Sequence, residues 1–136
     1  MSIIIRNETP NDYWEVENLT RESFWNVYKP GADEHYYVHQ MRSHPDFLPE
    51  LAFVLEKDGE IIGNIMYTKA WLENENGERK EILSFGPLCV APKYQRQKFG
   101  KLLIEHSFDA TFPPKEKAWM PSQEEFYIYR HSSVVR

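Results

Sequence analysis

The chain has 136 residues and a formal net charge of −5, with 41% hydrophobic and 15% aromatic residues. This length and composition fit one globular domain with a single core, and they exclude an intrinsically disordered chain. The acidic balance also argues against a nucleic-acid-binding protein, which usually carries a basic face.

The first third of the sequence predicts a strand followed by two helices. Residues 2–6 contain three isoleucines and predict the strand. Residues 9–12, Thr-Pro-Asn-Asp, have the capping-box pattern of a helix start. Apolar residues then recur every three or four positions, which predicts a helix with one buried face: Tyr13, Val16, Thr20, Phe24 and Val27. Asp33 caps a second, shorter helix that reaches about residue 42 and buries three side chains: Tyr37, Val38 and Met41.

A three-stranded antiparallel meander is predicted next. Apolar runs at residues 51–55 and 61–67 flank Asp58-Gly59, a pair that favours a tight hairpin turn. The second strand continues to about Trp71, a turn follows at residues 74–77, and residues 81–90 return as the third strand. Gly86-Pro87 lies inside that last strand and predicts a bulge or a splayed edge, because proline cannot donate a ladder hydrogen bond.

The segment after the meander reverses the overall sign of the charge. A polar loop leads into a helix that begins near Gly100, and four cations but no acidic residue lie between strand and helix: Lys93, Arg96, Lys98 and Lys101. The start of a helix leaves several backbone N–H groups unpaired, and these attract phosphate oxygens. The pattern therefore predicts an anion site.

The same loop resembles a family motif. The run Gln95-Arg96-Gln97-Lys98-Phe99-Gly100 is similar to the Q/R-x-x-G-x-G/A loop of the GNAT superfamily of N-acetyltransferases, which holds the pyrophosphate of acetyl-CoA. The flanking strand and helix are similar to those of the family, as is the order of elements over residues 1–110. Lys98 stands where the family has its first glycine, and its side chain would either crowd the phosphate or contact it.

The resemblance implies an α+β fold and the transfer of an acetyl group from acetyl-CoA to a primary amine by direct attack. It also implies the residues that bind the cofactor, which are the strand residues Leu88, Cys89 and Val90 and the loop residues Gln95, Arg96, Gln97, Lys98, Phe99, Gly100 and Lys101. For the catalytic base it points to Ser84, or to Glu81 if the register shifts. A serine hydroxyl is no base at neutral pH, although it can hold a water molecule.

The end of the chain departs from the family pattern. In the single domain 1–136, residues 111–136 form an atypical tail in place of the usual closing strands. Residues 122–125 predict a last short helix, although the alternation at residues 126–129 also suits a strand. Because the fourth strand then has an open edge, we expect residues 112–130 to pack on it or to reach a second chain in a homodimer.

This shortened end supports an alternative function, a non-catalytic, truncated GNAT-like module that binds CoA weakly or not at all. Lys98 in the glycine position and Ser84 in the place of a base support it too. The sequence does not indicate the acceptor.

Two further patterns are interpreted as structural. His35 and His39 are four residues apart, but no glutamate follows His35, so we expect a helix face and no metal site. Cys89 lies in a strand with no histidine near it in sequence, which predicts a small buried side chain. A single cysteine excludes an internal disulfide, so we expect a cytoplasmic protein. No signal peptide or membrane-spanning run of roughly 20 apolar residues is evident.

Overall fold

The computed structural model describes residues 2–111. Within that range one antiparallel sheet, in strand order β1-β2-β3-β4, packs against three helices. The elements in chain order are β1 (Ile3–Asn7), α1 (Tyr13–Phe24), α2 (Glu34–Met41), β2 (Phe53–Lys57), β3 (Glu60–Glu73), β4 (Arg79–Val90) and α3 (Phe99–Thr111). The predicted α+β architecture and its element order are confirmed. The predictions for residues 112–136, including the last helix or strand and its packing, lie outside the described residues.

The hairpin between β2 and β3 turns where the sequence predicts. Asp58 and Gly59 have φ angles of 51° and 85°, and Lys57 pairs with Glu60 across them. Two consecutive positive φ angles are typical of the tight turn whose twist matches the flanking strands. The turn between β3 and β4 is also confirmed, although both strands extend further toward it than predicted.

The predicted bulge at Gly86-Pro87 is present in β4. Ile65 pairs with Leu88 and Tyr67 pairs with Phe85, so two residues of β4 face one residue of β3. Gly86 has a φ of 144°, a conformation that a side chain would strain. The bulge separates the outer half of the strand from its last three residues, which lead into the basic loop.

The core lies on both faces of the sheet. On one face, α3 covers apolar side chains of three strands, among them Leu55, Tyr67 and Phe85, and adds Leu103. On the other face, α1 places Leu19 and Phe24 against Cys89. Each such burial removes a large apolar surface from water, which stabilises the fold by roughly 1.5–3 kcal/mol per side chain. The sheet is thereby fixed between the two helical layers.

Two predicted core residues lie at the surface instead. Helix α1 ends at Phe24, and Val27 is 49% exposed because Asn26 adopts a left-handed φ of 59° and turns the chain away. The backbone N–H of Asn26 donates to the Gly31 carbonyl, and the Gly31 N–H donates to the Asn26 side chain at 2.7 Å, which closes a compact loop. Tyr37 is 43% exposed, and Val38 is the one residue of α2 that is fully buried.

The start of the first helix is anchored by polar contacts. The backbone N–H of Thr9 donates to the Asp12 carboxylate at 2.8 Å, as the capping-box pattern predicts. The Arg6 guanidinium donates to both carboxylate oxygens of Asp12 and also contacts Glu56. These hydrogen bonds lower the pKa of Asp12 to about 2.

No helix within residues 2–111 is long and apolar enough to cross a membrane.

Candidate functional site

The basic loop after β4 has an unusual backbone. A short helical turn at Pro92–Tyr94 follows the strand, and α3 begins at Phe99. Between them Arg96 and Lys98 adopt φ angles of 65° and 71°, both in the left-handed region. Such conformations are strained for residues with a side chain, and they recur at ligand-binding loops as well as in tight turns. Lys98 thus keeps the conformation that a glycine would adopt without strain.

The amide groups of this loop are available to an anion. Within the described residues, the backbone N–H groups of residues 96–101 have no hydrogen-bond partner, and the first helical bond is donated by Leu102 to the Lys98 carbonyl. The side chains of Arg96 and Lys98 are exposed and contact no acidic group among residues 2–111. Lys101 lies 3.9 Å from Glu105. Unpaired donors and unneutralised cations at one helix start favour phosphate.

The neighbouring glutamines and Gly100 have structural contacts. The Gln95 side chain donates to the Val90 carbonyl at 3.0 Å, and the Gln97 side chain donates to the Lys93 carbonyl at 3.3 Å. Phe99 is buried under the loop and packs edge-on against Tyr94. A Cβ atom at Gly100 would lie 3.9 Å from Val90, an ordinary contact, so alanine would also fit there.

Within residues 2–111, the last residues of β4 present backbone groups at an edge that no other strand covers. The Ala91 N–H donates to the Ile62 carbonyl in β3, and the Cys89 carbonyl is also directed at β3, beside Gly63. Because successive residues of a strand alternate, the N–H and C=O groups of Leu88 and Val90 are directed away from β3.

Cys89 is a core residue, as predicted. Its side chain is fully buried and contacts the Asn64 amide oxygen at 2.6 Å. Burial raises the pKa of the Cys89 thiol to about 12, so the reactive thiolate is absent at neutral pH.

The two candidate catalytic residues differ in position. Ser84 lies three positions before Pro87 of the bulge. It pairs with Thr68 across the sheet and is partly buried. Glu81 is exposed on the outer half of the β3–β4 hairpin, 3.7 Å from Lys69. Leu88 lies seven positions after Glu81 along the strand, a distance of roughly 20 Å. Ser84 is therefore the nearer of the two to the open edge.

His39 on α2 and His44 in the following turn make separate contacts. His39 lies 2.6 Å from Glu17 on α1, and His44 lies 3.8 Å from Asp46. Within the part of the chain that the structure describes, no three metal-binding side chains come together.

Sequence reasoning missed one contact of this site. Ser23, at the end of α1, donates its hydroxyl to the Val90 carbonyl at 3.1 Å. No motif in the sequence indicates it, because the two residues meet only when α1 packs on the sheet.

The sequence and the fold both match known proteins. The sequence model of the acetyltransferase (GNAT) family matches residues 13–123. A GNAT family acetyltransferase from Brucella melitensis, whose structure is a complex with acetyl-CoA, is 27% identical with a TM-score of 0.68, covering 80% of this chain and 68% of the other. No curated protein is significantly similar in sequence.

Two more distant structures share the fold. A GNAT family acetyltransferase from Staphylococcus aureus has 19% identity and a TM-score of 0.55, covering 88% of this chain and 81% of the other. The ribosomal-protein-S18-alanine N-acetyltransferase from Escherichia coli has 18% identity and a TM-score of 0.53, covering 80% of this chain and 59% of the other. Because the family model spans most of the sequence, the chain belongs to the GNAT acetyltransferase family.

Proposed function

We propose that this protein transfers an acetyl group from acetyl-CoA to a primary amine. The loop at residues 96–101 carries the proposal, since it combines unpaired N–H groups with two cations that lack acidic partners in the described chain. Membership of the family and the likeness to a structure with acetyl-CoA bound support acyl transfer as the general chemistry. The proposal further names a primary amine as the acceptor and direct attack of that amine on the acetyl group as the mechanism.

The proposed cofactor site has two parts with different roles. The loop from Gln95 to Lys101 binds the pyrophosphate through its amides and through Arg96 and Lys98. The open edge at Leu88 and Val90 offers backbone groups to the amides of the pantetheine arm, whereas the backbone groups of Cys89 are directed at β3. Backbone donors fixed at such an edge also polarise an acetyl carbonyl without reorganising.

Ser84 is the proposed polar residue nearest the reacting amine. Its hydroxyl positions a water molecule or the amine, and the reaction then depends mainly on orientation and on an amine that is already deprotonated. Glu81 fits this role less well, because it lies far along the strand and contacts Lys69.

A non-catalytic, truncated GNAT-like module that binds CoA weakly or not at all is the second candidate. It is favoured by the serine at position 84, where a carboxylate would serve as a base, and by the strained Lys98 in the loop.

The open edge of β4 further supports pairing with a second copy of the chain, which light scattering over a wide concentration range would measure. The single cysteine, buried and reduced, supports a cytoplasmic location.

Calorimetric titration with CoA tests the site. Arg96→Glu places a negative charge beside the phosphates and should weaken CoA binding roughly five- to hundredfold, on the scale of a charge-assisted hydrogen bond. Lys80→Glu, the same reversal on the exposed outer hairpin, is the matched control and should bind as the wild type does. Equal affinity in all three proteins would refute the site. Thiol release from acetyl-CoA with a panel of amines then separates the enzyme from the module.

A further inference from the structure

The carbonyl of Val90 accepts two hydrogen bonds from side chains of different elements. The Ser23 hydroxyl donates to it from α1 at 3.1 Å, and the Gln95 side chain donates from the basic loop at 3.0 Å. Ser23 is 3% exposed and Val90 is 2% exposed. The bond from Ser23 is therefore formed out of contact with water, whereas the bond from Gln95 is partly buried. Losing the buried bond leaves the Val90 carbonyl less well satisfied.

This arrangement sets what the end of β4 can offer to a ligand. A carbonyl oxygen has two lone pairs, and here both are used within the protein. Val90 therefore presents only its N–H group at the open edge, while Leu88 presents both an N–H and a carbonyl. A ligand that lies along this edge must bring a hydrogen-bond acceptor to Val90.

The two bonds also fix where the basic loop begins. Gln95 follows the helical turn at Pro92–Tyr94, and its side chain is hydrogen-bonded to the last residue of β4. Ser23 donates to the same carbonyl from α1. The Val90 carbonyl oxygen is therefore the atom at which α1, β4 and the loop meet. Thr20, one turn earlier on α1, is also buried. Its hydroxyl donates to the Val16 carbonyl of its own helix and lies 3.7 Å from the Cys89 sulfur, so it contacts β4 without reaching the Val90 carbonyl.

We propose that Ser23 is a positioning residue for the cofactor: by sharing the Val90 carbonyl with Gln95, it keeps the edge of β4 and the start of the loop in register for CoA. The proposal rests on the proposed function. It assigns Ser23 no contact with the reacting atoms.

Two variants of α1 test the proposal. Ser23→Ala removes the hydroxyl that reaches Val90, and Thr20→Val removes a buried hydroxyl that does not. Calorimetric titration with CoA should show affinity weakened roughly three- to tenfold in Ser23→Ala, the effect of one lost neutral hydrogen bond, and nearly unchanged in Thr20→Val. Melting temperatures of both variants show whether a loss of affinity merely follows a loss of stability.

A second measurement needs no ligand. Hydrogen–deuterium exchange of the Ala91, Tyr94 and Gln95 amides, which donate to backbone carbonyls, should be faster in Ser23→Ala than in Thr20→Val or the wild type. Unchanged exchange in Ser23→Ala, or equal losses of CoA affinity in both variants, would overturn the positioning role. If exchange is faster in Ser23→Ala but the wild-type protein does not bind CoA, the proposed function is rejected and the role of Ser23 in holding the loop is retained.

Discussion

Replacing Lys98 by glycine tests whether the loop stores backbone strain. Lys98 has a φ of 71°, a conformation that costs a residue with a Cβ atom roughly 1–2 kcal/mol and costs glycine little. Its side chain is exposed and makes no ion pair within residues 2–111, so its removal breaks no contact there. The substitution should therefore stabilise the fold.

The size of the gain is a difference between two terms. Glycine has more conformational freedom in the unfolded chain, which offsets about 0.5–1 kcal/mol of the relieved strain. The free energy of unfolding should then rise by about 0.8 kcal/mol at the middle of both ranges, and by about 1.5 kcal/mol at most. For a domain of this size the melting temperature should rise by roughly 2–5 °C.

Urea unfolding followed by circular dichroism measures this change. Lys98→Ala is the matched control, because it also removes the charge and the long side chain but keeps the Cβ atom that causes the strain. We expect it to be no more stable than the wild type. If the glycine and alanine variants unfold at the same urea concentration, the left-handed conformation is not a source of strain in solution.

Three further predictions concern packing, reactivity and pH. Gly63→Ala should lower the free energy of unfolding by about 1–3 kcal/mol, since a Cβ atom there would lie 3.0 Å from a methyl carbon of α3 and 3.2 Å from a carbonyl oxygen. Gly100→Ala, with only a 3.9 Å contact, should be no less stable than the wild type, because alanine in α3 loses less backbone entropy on folding than glycine does. Cys89 should resist iodoacetamide at pH 8 in the folded protein and react after unfolding, because burial raises its thiol pKa to about 12; rapid labelling of the native state, followed by mass spectrometry, would contradict this. Hydrogen bonds from Arg6 lower the pKa of Asp12 from 3.8 to about 2. The stabilisation that the ionised carboxylate gives the fold is therefore complete above the pKa of the unfolded chain, and it is lost as the pH falls from about 4 to about 2. Asp12→Asn should flatten the dependence of stability on pH in that window, and an unchanged acid-unfolding profile would refute the linkage.

The sequence predicts best where a structure depends on neighbouring residues. Asp58-Gly59 and Gly86-Pro87 determine local backbone geometry, so both the hairpin turn and the bulge follow from the residues alone. The basic loop is recognised in the same way, because its charges and its glycine are adjacent in the chain.

Features that depend on packing are harder to predict. The spacing of Val27 fits the buried face of α1, but Asn26 turns the chain out of the helix before that position is reached. The contact between Ser23 and Val90 joins residues 67 positions apart. Neither has a local signature, because each arises from how α1 and its following loop lie on the sheet.

The placement of β1 has a consequence for how the domain folds. Strands β2, β3 and β4 are joined by short turns, whereas β1 pairs with β2 across the whole segment that contains both α1 and α2. Closing so long a loop costs conformational entropy before any contact repays it, and topologies with distant contacts fold slowly. The meander is therefore expected to form early, and the N-terminal strand to complete the sheet last, once both helices have packed.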